Sequence, residues 1–126
     1  METLVPLMYN EGVVKRGLPI WWMARVLAEN PARIFGIYPR KGVIRPGSDA
    51  DLLIWDADGD RTIRAAALCS RSGFTPYEGW QVQGAPWMTL LRGKVLLQDG
   101  KLQQSSGYGQ FLPASRPVPP VAGPVT

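Results

Sequence analysis

The sequence predicts an α+β architecture on three observations: a helical periodicity near the N-terminus, short apolar runs bounded by glycine turns after it, and a proline-rich end. Across residues 19–29, Ile20, Met23, Ala24 and Leu27 recur at the i, i+3, i+4, i+7 spacing of one helical face. Further on, Trp87-Met88-Thr89-Leu90-Leu91 and Val95-Leu96-Leu97 flank Arg92-Gly93-Lys94, and Asp99-Gly100 follows as a second turn. Helix signals therefore precede strand signals instead of alternating with them, which argues for segregated α and β parts. The expectation is two helices, then four to six short strands, then an irregular tail.

Taken in order, Leu4-Val5-Pro6-Leu7-Met8-Tyr9 is apolar and broken by Pro6, which suits a buried extended or short helical segment. In the 19–29 helix Pro19 is acceptable at the first turn, while Trp21, Trp22 and Val26 widen the apolar surface beyond one stripe. Core packing is the plain reading of that width; an interface left open is the other. Asn30 then reads as the cap of a second short helix, with Pro31 at its first position and Gly36 as its left-handed exit residue. Pro46-Gly47 is a turn, and Leu52-Leu53-Ile54-Trp55 reads as a short buried strand.

Asp56-Ala57-Asp58-Gly59-Asp60 alternates acidic residues around a glycine, as a calcium loop does. Such a loop needs a ligating Glu six positions beyond the glycine, and Ala65 stands there, so a polar turn between strands is the expectation. Arg61 to Arg64 follows as a brief strand. Ala65-Ala66-Ala67-Leu68-Cys69 favours helix or interior strand, and residues 70–76 a loop. Cys69 is the single cysteine, and with no histidine in the chain to activate it, a buried structural thiol is expected in place of a nucleophile. Residues 103–110 are polar and Gly-rich, and residues 113–126 hold five prolines, which predicts an extended tail with a mobile end.

Composition bounds the function classes. The chain has 126 residues, 45% of them hydrophobic, enough for one domain with a core. Its net charge is +4, but Lys15-Arg16 and Arg40-Lys41 are the sole adjacent basic pairs, so a solvated surface is the expectation and a nucleic-acid partner is not. A lone cysteine allows no internal disulfide and fits a reducing cytoplasm. No apolar run reaches spanning length and the start lacks a signal-peptide pattern, so no membrane partner is expected.

The block Asn30-Pro31-Ala32 … Phe35-Gly36, followed by Arg40-Lys41-Gly42-Val43-Ile44-Arg45-Pro46-Gly47-Ser48-Asp49-Ala50-Asp51-Leu52, resembles the C-terminal region of the cyclic amidohydrolases. Tyr77-Glu78-Gly79-Trp80-Gln81-Val82-Gln83-Gly84-Ala85-Pro86, Leu91-Arg92-Gly93-Lys94-Val95-Leu96-Leu97-Gln98-Asp99-Gly100 and Gly107-Tyr108-Gly109-Gln110-Phe111-Leu112 narrow the likeness to the hydantoinase and dihydropyrimidinase branch. The resemblance implies that residues 1–36 are the last helices of a (β/α)8 barrel. It likewise implies that 37–102 form part of a small β-sandwich and 103–126 an extended Gly/Pro-rich tail. Strands that would complete the sandwich lie outside this sequence, so an incomplete sheet with an open edge is expected. Homo-oligomer contacts through that edge and through residues 107–112 are implied as well.

Opening an unstrained cyclic amide needs a strong nucleophile and a Lewis acid. The family is understood to supply both through a hydroxide bridging two zinc ions held by histidines, a carboxylated lysine and an aspartate. No residue of this chain matches any of those positions, and it contains no histidine at all. There is no Gly-x-Ser-x-Gly elbow and no phosphate-cradling glycine loop. The catalytic, cofactor-binding and metal-ligating residues expected in this chain are therefore none, with the zinc pair belonging to a complete relative. Three readings stand at this point. The chain is a portion of a hydantoinase-like, dihydropyrimidinase-like or allantoinase-like hydrolase, inactive alone. Or it is a stand-alone module pairing with a barrel-bearing partner through Trp21, Trp22 and the sandwich edge. Or it is an unrelated small enzyme or ligand-binding domain, marked by a pocket with convergent polar groups.

Overall fold

The computed structural model describes residues 2–103 and 107–122. It is a mixed helix and antiparallel-sheet structure, with helices preceding strands as the sequence predicts. The elements are α1 (Leu4–Met8), α2 (Ile20–Ala24), α3 (Asn30–Ile34), β1 (Leu52–Thr62), β2 (Gln81–Leu91), β3 (Lys94–Gln98) and β4 (Lys101–Leu102). The chain divides into two compact units, Met1–Leu18 with Trp55–Ala85, and Pro19–Ile54 with Pro86–Thr126.

In the first unit α1 runs on through a π-helical stretch, Tyr9–Val14. The broken apolar segment at the N-terminus is thus helical. Pro6 sits inside the first turn and is buried, where its missing N–H removes no intrahelical bond. The core of this unit is Tyr9, Ile63 and Val82, with Ile63 only 1% exposed. Tyr9 packs on Trp55 with ring centroids 5.4 Å apart and tilted by 57°. Gly84 makes that pairing possible. It has φ +86°, and a Cβ there would lie 2.6 Å from Tyr9 Cδ1 and 2.7 Å from Trp55 Cζ2.

In the second unit the expected break between two helices is absent. Asn30 has helical φ and ψ of −62° and −44°, so it is an interior residue and caps nothing. The cause lies one turn earlier, where Arg25–Glu29 forms a π-helical turn. This wider turn leaves room for the Pro31 ring, which would strike the preceding carbonyl in a regular α-helix, and the chain continues through it. The exit is as predicted: Gly36 has φ +67°. The Gly36 N–H donates to Arg33 O at 3.2 Å and the Ile37 N–H to Ala32 O at 2.9 Å, the pair of bonds that closes a Schellman motif.

The sheet has four strands in the order β1-β2-β3-β4. β2 and β3 are antiparallel with Leu91 opposite Lys94, and β3 and β4 are antiparallel with Gln98 opposite Lys101. Each hairpin closes through two left-handed residues, Arg92 (φ +46°) with Gly93 (φ +78°), and Asp99 (φ +49°) with Gly100 (φ +71°). That geometry matches the right-handed twist of the flanking strands. A bulge interrupts the β2–β3 register between Thr89 and Leu90, leaving Leu96 without an opposite residue. Its carbonyl instead accepts the Gln103 N–H at 2.7 Å.

Two expectations about β1 are corrected. Leu52 to Trp55 does not end in a turn, because β1 continues through Asp56, Ala57, Asp58, Gly59 and Asp60 to Thr62 as one strand of 11 residues. Asp56 still accepts the Asp58 N–H at 3.1 Å, the local bond that a turn would use. Sheet pairing nonetheless keeps the backbone extended, helped by the Gln83 side chain, which donates to Ala57 O at 3.1 Å. Nor is the strand buried, with Leu53 and Ile54 exposed at 44% and 38%. Ala65–Ala67 forms a single 3-10 turn, which is neither of the longer elements expected there.

Among the described residues the tail, 107–122, has no regular secondary structure, in keeping with its prolines. It is nevertheless tied down within its unit. The Ser115 N–H and Oγ–H both donate to Gly36 O, and the Val118 N–H donates to Arg33 O. The expected mobile end beyond residue 122 lies outside the described residues.

Candidate functional site

Two polar constellations stand out. In the first unit a cleft of about 400 Å3 is lined by Asn10, Asp60, Arg61, Thr62, Gln81, Val82 and Gln83. Asn10 is its fixed point, a buried polar side chain on the π-helical stretch. Its Oδ1 accepts the Gln83 N–H at 3.1 Å and its Nδ2 donates to Glu11 Oε1 at 3.0 Å. One amide thus satisfies the backbone of a strand 73 residues away, and the Asn10 oxygen is already used. Glu11 is itself held by Lys15 at 2.6 Å, and that bond keeps its carboxyl below the usual range.

In the second unit Arg40, Lys41, Asp49 and Asp51 form an ion cluster along a cleft of about 210 Å3. The Pro46-Gly47 turn folds the two acidic positions back onto the basic pair. Lys41 Nζ lies 2.8 Å from Asp49 and also hydrogen-bonds Asp51, and Arg40 Nε donates to Asp49 at 3.0 Å. Burial acts to lower the Lys41 pKa, but its bonds to Asp49 and Asp51 outweigh it and the ammonium is held above its ordinary value. The Lys41 contact, with Arg40 behind it, holds Asp49 below the ordinary carboxylate range. The second oxygen of Asp51 accepts the Arg92 N–H at 2.8 Å, and the Gly93 N–H donates to Ala50 O at 2.9 Å. The cluster therefore staples the loop before β1 to the tip of the β2–β3 hairpin. Its charges are neutralised pairwise, leaving neither a free base nor a nucleophile.

Cys69 is exposed, contrary to the buried thiol expected, because residues 68 to 76 form an irregular loop and not a helix or interior strand. Its N–H donates to Glu2 Oε2 at 2.9 Å. Hydrogen bonding to the Glu2 carboxylate raises the thiol's pKa, the reverse of what activates a nucleophilic cysteine.

A bridged pair of zinc ions does not fit these donors. Tetrahedral zinc of the hydrolytic type draws on imidazole nitrogen, and the chain has none to give. The alternating aspartates of β1 lie along an extended strand, so the looped calcium geometry is not formed. Among the described residues no three His, Cys, Asp or Glu side chains come close enough to hold an ion together. Asn10 and the Lys41 cluster carry no weight in the sequence reading. The apposition of Arg40-Lys41 with Asp49 and Asp51 across a Pro-Gly turn was the available signal for the cluster. No local signal marked Asn10, whose partner is remote.

Known proteins give the frame for these two constellations. The chain matches the amidohydrolase family over residues 3–96. It is 42% identical to the L-hydantoinase of Paenarthrobacter aurescens over 112 residues, 89% of this chain and 24% of that protein. The solved L-hydantoinase (dihydropyrimidinase) from Arthrobacter aurescens superposes with a TM-score of 0.81 over 85% of this chain and 24% of that one, at 42% identity. The D-hydantoinase (dihydropyrimidinase) from Thermus sp. does so with a TM-score of 0.83 at 34% identity, over 86% of this chain and 24% of that one. The chain thus spans about a quarter of the length of the relatives it matches. Sequence and structural likeness agree along its length, and the chain belongs to the amidohydrolase family, on the branch of the hydantoinases and dihydropyrimidinases.

Proposed function

We propose that this chain is a non-catalytic C-terminal portion of a metal-dependent cyclic amidohydrolase. The complete enzyme opens the C–N bond of a hydantoin- or dihydropyrimidine-like ring. In this reading the helices of residues 1–36 close a catalytic barrel, residues 37–102 belong to a β-sandwich, and the metal pair is held by residues supplied from elsewhere. The observation that carries it is the pairing of 42% identity to a hydantoinase over 89% of the chain with a composition that contains no histidine. A segment this similar that contains no histidine suits a part of the enzyme that supports residues holding the metals instead of holding them itself.

What this chain's own residues do is then mechanical. The Asp51 and Lys41 staple fixes the loop before β1 against the hairpin, and Asn10 ties the first helix to β2. In the alternative of a stand-alone module, the exposed Trp21 and half-buried Trp22 on α2 meet a barrel-bearing partner; in either reading the open sheet edge with residues 107–112 meets a second subunit. The reducing cytoplasm is its setting. Among the described residues no helix is long and apolar enough to cross a membrane.

The test is direct. The purified chain is dialysed against zinc and assayed with hydantoin and dihydrouracil. Neither stoichiometric zinc nor ring opening is expected, and one tightly held zinc per chain, or turnover above the zinc-only background, would overturn the reading.

A further inference from the structure

The tail lies beyond residues 3–96, the part matched to the family, and makes a regular pattern of contacts. The Ser115 N–H donates to Gly36 O at 2.7 Å, the Val118 N–H to Arg33 O at 3.0 Å, and the Val121 N–H to Asn30 Oδ1 at 2.9 Å. Donors recur at every third residue of the tail, and acceptors at every third residue of α3 and its exit, in the opposite direction. Pro117, Pro119 and Pro120 stand between the donors. Proline fixes φ near −65° and pushes the residue before it to extended backbone, which favours a polyproline II conformation with three residues per turn. Such a chain brings every third N–H to one side, and the residues without an N–H fall where no acceptor waits.

The receiving surface is equally specific. Arg33 O already accepts the Gly36 N–H at 3.2 Å where the helix ends, and the Val118 N–H takes the second lone pair of the same carbonyl at 3.0 Å. Gly36 lies so close beneath Ser115 that a Cβ would sit 2.1 Å from Ser115 O. The wall beside Arg33 is rigid. Its guanidinium donates twice to Glu29 Oε1, at 2.9 and 3.0 Å, and lies 3.9 Å over the Tyr38 ring. Residues 113–120 are all exposed, with Val118 at 39%, so hydrogen bonds carry much of the attachment.

We infer that Asn30, Arg33 and Gly36 form a docking surface for extended proline-containing chain, and that Ser115–Val121 occupies it as a strap that releases as one unit without unfolding of the elements beneath. Native-state hydrogen exchange on the full chain tests this. The amides of Ser115, Val118 and Val121 are expected to share one protection level, on the order of 10^2- to 10^3-fold over free peptide, with the β2–β3 hairpin amides exchanging more slowly still. Asn30→Ala removes one acceptor while raising helix propensity. It is expected to lower protection of all three tail amides together, by roughly fivefold, and to leave the hairpin unchanged. Gly36→Ala is expected to abolish tail protection altogether.

Three results would overturn the inference. Tail amides exchanging at the free-peptide rate would mean that the strap is not docked. Tail and hairpin amides exchanging at one rate would mean that it opens only when the whole unit unfolds. Loss confined to Val121 in Asn30→Ala would mean three separate contacts in place of one strap.

Discussion

Replacing Gly84 with alanine probes the junction on which the first unit depends. Two costs add. The residue has φ +86°, where an L side chain meets its own backbone at about 1–2 kcal/mol. The new Cβ would also stand 2.6 Å from Tyr9 and 2.7 Å from Trp55, inside any real carbon contact, and overpacking of that kind costs about 1–3 kcal/mol. The sum is about 2–5 kcal/mol, a large share of the stability of an ordinary domain. Gly79→Ala serves as the control. That glycine has φ +79° with nothing within 4 Å of its Cβ position, so it carries the backbone cost alone. Urea titrations followed by tryptophan fluorescence should place Gly84→Ala below Gly79→Ala by about 1–3 kcal/mol. Equal losses in the two variants would mean that Tyr9 and Trp55 do not close over Gly84, and the account of this core would fail.

Three other outcomes follow from the same contacts. Asn10→Ala strands the Gln83 N–H against a buried site and should cost about 1–3 kcal/mol in urea titration; a loss below about 0.5 kcal/mol would contradict the assignment. The ion cluster sets a pH window. Asp49 is held below its unfolded value, so its contribution is present above the usual carboxylate pKa of about 3.9 and lost as pH falls through the lower folded value. Lys41 is held above its unfolded value, so its contribution is present below about pH 10.4 and lost as pH rises through the folded value. Urea midpoints should therefore be flat between these limits and fall outside them, and Lys41→Met should flatten the alkaline limb; an unchanged limb would count against the cluster. Finally, β1 and β4 have no outer neighbour among the described residues, and such edges pair readily. Size-exclusion elution should shift to larger species as concentration rises, and a monomer at every concentration would contradict the proposed edge contact.

What could be read from the sequence was what is decided locally. Arg92-Gly93 and Asp99-Gly100 adopt left-handed backbone because two-residue hairpin loops demand it, and Gly36 ends its helix for the same stereochemical reason. Local signals failed where a remote partner decided. Asn30 has the composition of a cap, yet a π-helical turn upstream absorbs Pro31 and turns the Asn30 side chain over to the tail, 91 residues away. Asp56 to Asp60 has turn chemistry, and the bond from the Asp58 N–H to Asp56 survives, but strand pairing prevails. The family was legible in the spelling of residues 30–52 and 77–112. The Lys41 cluster was half-legible, since its basic pair and its two aspartates sit eight to eleven positions apart around a Pro-Gly turn whose direction no periodicity reveals.

The role proposed for this chain is to complete a hydrolase without supplying its chemistry. The most direct measurement co-expresses it with a hydantoinase segment that carries the barrel and metal ligands but lacks the region matched here, and follows hydantoin ring opening against each partner alone. The expected result is turnover in the mixture and none from this chain by itself. Ring opening by this chain alone, or full activity of the barrel segment without it, would contradict the claim.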